Sequence, residues 1–253
     1  MMTLQSFFQA NPRAAVAFSG GVDSAYLLWA AKAYGAKGRA YYVKSPFQPL
    51  FELVDAVKLC RALAVSLTVL PVDVLTDEAV AKNDHLRCYS CKRRIFTAIL
   101  KAAARDGFDL LLDGTNASDE ASDRPGMRAL SELHVLSPLR LCGLTKAEIR
   151  QKSRDAGLFT WDKPAYACLA TRIPTGTAIT REDLGRVERG EQALAAMGFH
   201  DFRLRLRGDG ALLQVREDQW EEARRRLEEL RSLLAGDFTQ VELDAAPRQT
   251  RES

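Results

Sequence analysis

Charge of one sign is what this sequence has least of. Its 36 basic and 33 acidic residues leave a formal net charge of +3 over 253 residues. That balance argues against a general nucleic-acid binder, which carries a clear basic excess, although it is compatible with a local basic patch. Long apolar runs are also missing. No stretch approaches about 18 uninterrupted apolar residues, so no membrane span is expected. The opening MMTLQSFFQANPRAA has no charged segment followed by a long apolar one, so no secretory signal is expected and the chain is read as cytoplasmic. Five cysteines, Cys60, Cys88, Cys91, Cys142 and Cys168, are an odd number in such a chain and do not make a disulfide framework. Reduced thiols serve instead as ligands or nucleophiles. His85, His134 and His200 show no metal-ligand spacing and read as surface or satisfied side chains. What is present is ordinary for a globular protein, with 47% apolar and 27% charged residues. The length allows one large domain or two modest ones with a sizeable core.

Over the first two thirds, short apolar runs alternate with helical patterns. Ala14–Phe18 reads as a buried strand ending in a glycine-rich turn, and Ala25–Ala33 has helical composition. Arg39–Val43 is a second strand, Phe51–Leu63 an amphipathic helix and Ser66–Val72 a third strand. Cys91–Ala104 is a helix, and Leu110–Leu112 a fourth strand running into Asp113-Gly114. Strands separated by helices need crossovers, so the pattern predicts a doubly wound α/β fold on a parallel sheet. Thr145 and Glu148 make a capping-box pair at the head of a helix over Thr145–Ala156. From Leu158 to Thr180, Pro, Gly and Thr accumulate and periodicity fades, as in a functional loop. A helix (Glu182–Met197), two strands (Asp201–Arg207 and Leu212–Val215), a highly charged helix (Glu217–Leu234) and a last strand (Thr239–Leu243) then form a smaller C-terminal α+β unit with an exposed sheet face. The expected organisation is an α/β domain over 1–165, an active-site loop over 166–180, the α+β unit over 181–244 and a frayed tail over 245–253.

Ser19-Gly20-Gly21-Val22-Asp23-Ser24 joins the first strand to the first helix of that pattern. Two glycines let the backbone approach a phosphate closely. The helix N-terminus behind them offers unpaired N–H groups and the positive end of the helix dipole. Ser19 and Ser24 add hydroxyl donors. Asp23 sits oddly beside phosphates unless it orients the loop or helps to hold Mg²⁺. The loop has no lysine, so it is not a Walker A motif. A bare Gly-Gly pair would be no more than a tight turn; the full string in this position points to phosphate binding.

These residues resemble the PP-loop of the ATP-pyrophosphatase superfamily, whose members include GMP synthetase, NAD synthetase, argininosuccinate synthetase and several tRNA-modifying enzymes. The resemblance implies cleavage of ATP between its α and β phosphates, giving an adenylylated substrate and pyrophosphate. It places ATP on Ser19, Gly20, Gly21, Asp23, Ser24, Lys44, Gly114, Thr115 and Asn116. Further segments narrow the branch: Asp113-Gly114-Thr115-Asn116-Ala117-Ser118-Asp119, Asp123-Arg124-Pro125-Gly126, Ser137-Pro138-Leu139, and the string from Trp161-Asp162-Lys163-Pro164 through Cys168-Leu169-Ala170-Thr171-Arg172-Ile173-Pro174. With Met197-Gly198-Phe199 and Arg203-Leu204-Arg205, these are similar to the LarE family of sulfur transferases over nearly the whole chain.

That likeness implies adenylylation of pyridinium-3,5-biscarboxylic acid mononucleotide with ATP and Mg²⁺, and conversion of its carboxylates to thiocarboxylates for the nickel-pincer nucleotide cofactor. It implies a substrate phosphate bound by Arg172, Glu191, Arg203 and Arg205, and a homo-oligomer, such as a hexamer, built partly through the C-terminal unit. By position, Cys168 is the cysteine that one branch of the family gives up as sulfur donor, leaving dehydroalanine. Arg172 is near enough in sequence to lower the pKa of that thiol.

Cys88-Tyr89-Ser90-Cys91 adds a second possibility for the sulfur. A structural zinc site would need four ligands, and the other candidates are unpatterned. A redox dithiol would be expected after a thioredoxin-like first strand. In the third reading, Cys88, Cys91 and Cys168 hold a [4Fe–4S] cluster with one iron open to carry sulfide, as in some members of the LarE family and some tRNA thiolases. A cluster makes the protein catalytic, whereas a sacrificed Cys168 makes it single-turnover. Cys60 and Cys142 read as small buried hydrophobes. Arg203 and Arg205 share one face of a strand, suited either to a phosphate or to a solvated outer face. Glu191 alone reads as a surface acid, and Glu221–Glu229 as a solvated helix face with paired charges. Trp161 and Trp220 suit a core or an interface equally. Two other activities share the activation step. One is a tRNA thiolase. The other is an ammonia-dependent amide synthetase, for which Cys168 would be dispensable.

Overall fold

In a computed structural model, which describes residues 2–119 and 125–249, the chain runs α1 (Leu4–Ala10), β1 (Arg13–Ala17), α2 (Val22–Ala33), β2 (Lys37–Lys44), α3 (Leu50–Ala62), β3 (Leu67–Pro71), α4 (Glu78–Ala81), α5 (Arg87–Arg105), β4 (Leu111–Leu112), α6 (Pro125–Glu132), α7 (Pro138–Leu141), α8 (Lys146–Asp155), α9 (Arg181–Ala196), β5 (Arg203–Arg207), β6 (Gly210–Gln214), α10 (Glu217–Arg225), α11 (Leu227–Leu234) and β7 (Val241–Leu243). Short 3₁₀ turns lie at Val74–Thr76 and Leu169–Arg172. Two compact units result, residues 2–76 with 86–163, and residues 77–85 with 164–249. Asp123 and Arg124, which carry part of the family likeness, lie outside the described residues, as do 250–253 of the expected tail.

The larger unit holds a four-stranded sheet ordered β3-β2-β1-β4, with every neighbouring pair parallel. This is the doubly wound α/β architecture that the alternating pattern predicts. Both faces of β1 are buried. Ala14 and Val16 pack with Phe8, Leu27 and Leu28 on one side, while Ala15 packs with Phe96, Ile99 and Leu111 on the other. A strand covered on both faces has no polar side to show, hence the unbroken apolar run in the sequence. The chain builds outward from β1 through β2 to β3, then returns to place β4 on the other flank of β1. Such a reversal opens a crevice at the carboxyl ends of the two strands, the usual ligand position in open α/β sheets.

The predicted strands and helices fall within a few residues of the observed ones. The helix expected from Cys91 starts at Arg87, so Cys88 stands in its first turn and Cys91 opens the second. The capping box forms as expected: Thr145 N–H donates to Glu148 Oε2 at 2.8 Å, and Glu148 N–H donates to Thr145 Oγ1 at 3.4 Å. Among the described residues, no helix is long and apolar enough to cross a membrane.

The smaller unit carries the sheet β5-β6-β7, antiparallel then parallel. Residues 77–85, which precede α5 in sequence, belong to it through Asn83. That side chain is fully buried in the left-handed region (φ 58°) and donates from Nδ2 to the carbonyls of Pro174 and Thr177, each at 2.9 Å. Gly176 N–H returns a bond to Asn83 O at 2.9 Å. The loop of low periodicity is therefore pinned by a buried amide. The exposed sheet face anticipated for this unit is not there at Arg203, which is buried. Asp201, expected at the head of the strand, instead sits at φ 47° in the turn before it. The charged helix expected over Glu217–Leu234 is interrupted at Arg226, where ψ is 12°. The guanidinium of Arg226 holds Glu222 and Glu229 on either side of that interruption. In the tail, Arg248 N–H donates to Val215 O at 2.7 Å and its guanidinium to Asp201 Oδ1 at 2.7 Å.

Gly190 sets how closely α9 approaches β5. A Cβ there would stand 2.5 Å from Leu204 Cδ2 and 3.1 Å from Phe238 Cε2. Gly190→Ala overpacks this contact and is expected to cost about 1–3 kcal/mol. At about 2–4 °C per kcal/mol, the melting temperature followed by circular dichroism should fall by several degrees. An unchanged melting temperature would mean that the helix can retreat at no cost.

Candidate active site

The loop Ser19-Gly20-Gly21 leaves β1 at the reversal point and enters α2 with Gly21 as N-cap. Gly20 has φ 77°, and a Cβ on it would stand 3.1 Å from Glu52 O, so the position requires glycine on conformational and steric grounds. Ser24 closes the loop from inside the helix. Its Oγ accepts from Ser19 N–H at 3.3 Å, donates to Gly21 O at 3.2 Å and lies 3.1 Å from Ser19 Oγ. The result is a fixed cradle in front of a 12-residue helix whose first N–H groups point out of it.

From the other flank of the crevice, β4 delivers Asp113-Gly114-Thr115-Asn116. A Cβ on Gly114 would lie 2.8 Å from Ser24 N and 3.1 Å from Ser24 Cα, so two backbones meet there with no room for a side chain. Asn116 Nδ2 then reaches Asp23 Oδ1 at 3.3 Å, and Lys146 Nζ, from the first turn of α8, reaches Asp23 Oδ2 at 2.5 Å. Both Asp23 oxygens are thus engaged. Thr115 turns away, donating to the buried Asp113 at 2.5 Å, which also accepts from Ser137 at 2.5 Å. Lys44, at the carboxyl end of β2, donates to Gln48 O. Lys163 Nζ bonds Asp55 Oδ2 at 2.6 Å and the loop carbonyl of Gly20 at 3.2 Å. Lys146 and Lys163 were not singled out in the sequence; Lys163 sat unnoticed within the Trp161–Pro164 string.

In the smaller unit, one buried carboxylate pairs with Arg172 and lies within the electrostatic reach of Arg203 and Arg205. Arg172, buried, pairs with Glu191 through Nε (2.7 Å) and Nη2 (3.2 Å). Glu191 is no surface acid. It is buried beneath α9, and also accepts from Tyr166 OH at 2.6 Å and Leu204 N–H at 3.1 Å. The Tyr166 ring lies 4.6 Å from the Arg172 guanidinium and 5.5 Å from that of Arg203. Burial, followed by the nearby charges of Arg172 and Arg248, pushes Arg203 down to about 10 and lowers Arg205 in the same sense. Positive charge is thus concentrated beyond what Glu191 and Asp201 offset.

These arginines also hold the chain around Cys168. Arg203 donates to Ala165 O (2.7 Å), Arg172 to Ala167 O (2.9 Å) and Arg205 to Thr171 O (2.8 Å), while Thr171 donates twice to Cys168 O. Cys168 itself is half-buried at the head of the 3₁₀ turn.

Cys88 and Cys91 occupy successive turns of one face of α5 in the larger unit, Cys88 exposed and Cys91 half-buried. Among the described residues, no group of three His, Cys, Asp or Glu side chains is arranged as a metal site. Cys60 is buried in the core, where burial pushes its thiol up to about 11; Cys142 is half-buried and raised in the same direction.

A parallel α/β sheet with a glycine-rich loop at its reversal point is the architecture of the PP-loop class. No protein-family model matches the chain. It is 34% identical over 219 residues to an uncharacterized protein of Synechocystis, covering 85% of this chain and 81% of that one. It is 30% identical over 219 residues to the pyridinium-3,5-bisthiocarboxylic acid mononucleotide synthase of Lactiplantibacillus plantarum, covering 85% and 79%. A tRNA-specific 2-thiouridylase, MnmA, of Thermotoga is 26% identical over 185 residues, covering 56% and 52%. The chain belongs to the LarE family, that of the Lactiplantibacillus synthase.

Glu191→Ala would leave the Arg172 guanidinium buried without its counter-charge, and equilibrium denaturation should show a loss of about 3–5 kcal/mol; a loss below about 1 kcal/mol would mean that water reaches Arg172. At pH 8, Ellman's reagent should modify Cys88 rapidly and Cys60 only after unfolding, with peptide mass spectrometry assigning the sites.

Proposed function

We propose that this chain is an ATP-dependent sulfur transferase that acts on a pyridinium-3,5-biscarboxylic acid mononucleotide. The observation that carries this reading is the excess of guanidinium groups around Tyr166 and Glu191, with Arg172 and Arg203 buried and Arg205 half-buried, which suits the phosphate of a small anionic nucleotide. Family membership, through a relative named as a bisthiocarboxylic acid mononucleotide synthase, supports the substrate and the sulfur chemistry.

In the proposed sequence, the loop at Ser19–Ser24 with Gly114 and Asn116 takes the triphosphate, and Lys44 stands at the same edge of the sheet. Mg²⁺ accompanies the ATP, with Asp23 orienting the loop. A substrate carboxylate oxygen attacks the α-phosphorus and pyrophosphate leaves. Positioning and charge neutralisation are the work asked of the protein here. The Cys168 thiolate then attacks the acyl carbon, AMP leaves, and a thioester results. Removal of the Cys168 Cα proton expels the sulfur with the Cβ–S bonding pair, giving the thiocarboxylate and dehydroalanine at position 168. The alternative sulfur source is a [4Fe–4S] cluster. The thiolate donor set of Cys88, Cys91 and Cys168 suits iron, Cys88 and Cys91 sharing one helix face. Such a cluster would supply sulfide in place of the side-chain sulfur.

A second reading, a tRNA thiolase, is favoured by the relationship to MnmA. The net charge of +3 opposes it, because RNA affinity rests chiefly on neutralised phosphates.

With ATP, Mg²⁺ and the biscarboxylic mononucleotide under anaerobic conditions, pyrophosphate and a thiocarboxylate should appear, and Cys168→Ala should abolish the thiocarboxylate. Loss of the mass of hydrogen sulfide from the Cys168 peptide, one per turnover, identifies the sacrificed thiol; an unchanged peptide with bound iron and sulfide identifies the cluster. If tRNA, and not the mononucleotide, stimulates pyrophosphate release, this proposal is wrong.

A further inference from the structure

Charge is scarce where the loop would need it. Ser19–Ser24 contains an acid and no base, and Lys146, the nearest lysine to that acid, is committed to Asp23 at 2.5 Å. Lys44 donates to Gln48 O. Lys163 differs from both, because its ammonium reaches the loop backbone itself, 3.2 Å from the Gly20 carbonyl. Gly20 is the residue whose φ of 77° gives the cradle its bend. Asp55 on α3 holds the same nitrogen at 2.6 Å, and the Phe51 ring lies 5.5 Å away. An ammonium has three donors on a flexible stem, and these two oxygens account for two of them.

On the basis of the ATP reading above, we infer that Lys163 supplies the positive charge the loop lacks, binding the pyrophosphate portion of ATP with the loop amides, and that Asp55 positions this ammonium at the rim. No bond to Lys163 forms or breaks; its ammonium exchanges one anionic acceptor, the Asp55 carboxylate, for another, a phosphate oxygen. Asp55 is in this scheme a competitor for the cation as well as its guide. A merely structural Lys163–Asp55 bridge makes a different prediction, because removing either partner would then loosen the loop alike.

The two schemes separate by the sign of one substitution. Titration calorimetry of the full chain with α,β-methylene-ATP and Mg²⁺ is the measurement, with thermal unfolding run alongside. Lys163→Met should weaken binding about 10–100-fold, the range for one lost hydrogen bond to a charged group. Lys163→Arg should retain most of the affinity, and Asp55→Asn should bind as tightly as the parent or more so. Binding by Lys163→Met within twofold of the parent overturns the inference, and so does equal weakening by Asp55→Asn and Lys163→Met. Should Lys163→Met fail to fold, a large loss in the Arg variant or in Asp55→Asn serves as the contrary result, and their retention as the supporting one. A parent chain that does not bind the nucleotide at all refutes the ATP reading itself, a different outcome from any of these.

Discussion

Where β4 ends, its backbone lies directly on the first turn of α2, and Gly114 is the residue that allows it. With a Cβ position 2.8 Å from Ser24 N, a methyl group would drive the strand off the helix. Everything at the crevice follows from that approach. It brings Asn116 to Asp23, fixes the acid on which Lys146 docks, and leaves Thr115 and Ser137 to satisfy the buried Asp113. Both walls of the cradle are main chain. Polar groups fixed at the edge of a packed interior act on charge more strongly than they would in open water.

The smaller unit works in the opposite way, through side chains held under electrostatic tension. Burying guanidiniums together is unfavourable, and Glu191 relieves only part of it while tying Tyr166, Arg172 and the β5 backbone into one knot. Gly190, one residue earlier, lets α9 come close enough for that carboxylate to reach Leu204 N–H. Core geometry and charge placement here are one arrangement. The same arginines fasten the carbonyls on both sides of Cys168. An anion among them would therefore act on the segment that carries the thiol.

Much of this was legible in the chain because its causes are local. Apolar runs buried on both faces, a capping box at Thr145 and Glu148, and a glycine pair between strand and helix leave short-range marks. The CxxC at the head of α5 and the shared face of Arg203 and Arg205 did so too. What escaped notice depends on distant partners. Glu191 looked like any acid on a charged helix until β5 covered it. Lys163 belongs to the Trp161–Pro164 string that carries the family likeness, but its contact with Gly20, like that of Lys146 with Asp23, appears only once residues 143 and 123 positions away are set beside them. The resemblance gives Gly114 as an ATP-binding position; that two backbones touch there shows only in the fold. Asn83 gave no sign at all, because its acceptors lie beyond the whole of the larger unit's second half.

That last separation bears on how the protein is made. The carbonyls that satisfy Asn83 lie 91 and 94 residues farther along. On a ribosome adding about 5–20 residues per second, the segment 77–85 waits several seconds or longer for its partners while α5 and β4 emerge. The smaller unit therefore cannot assemble as an autonomous C-terminal piece. Cutting the gene at the linker near residue 164 would divide it from one of its own parts.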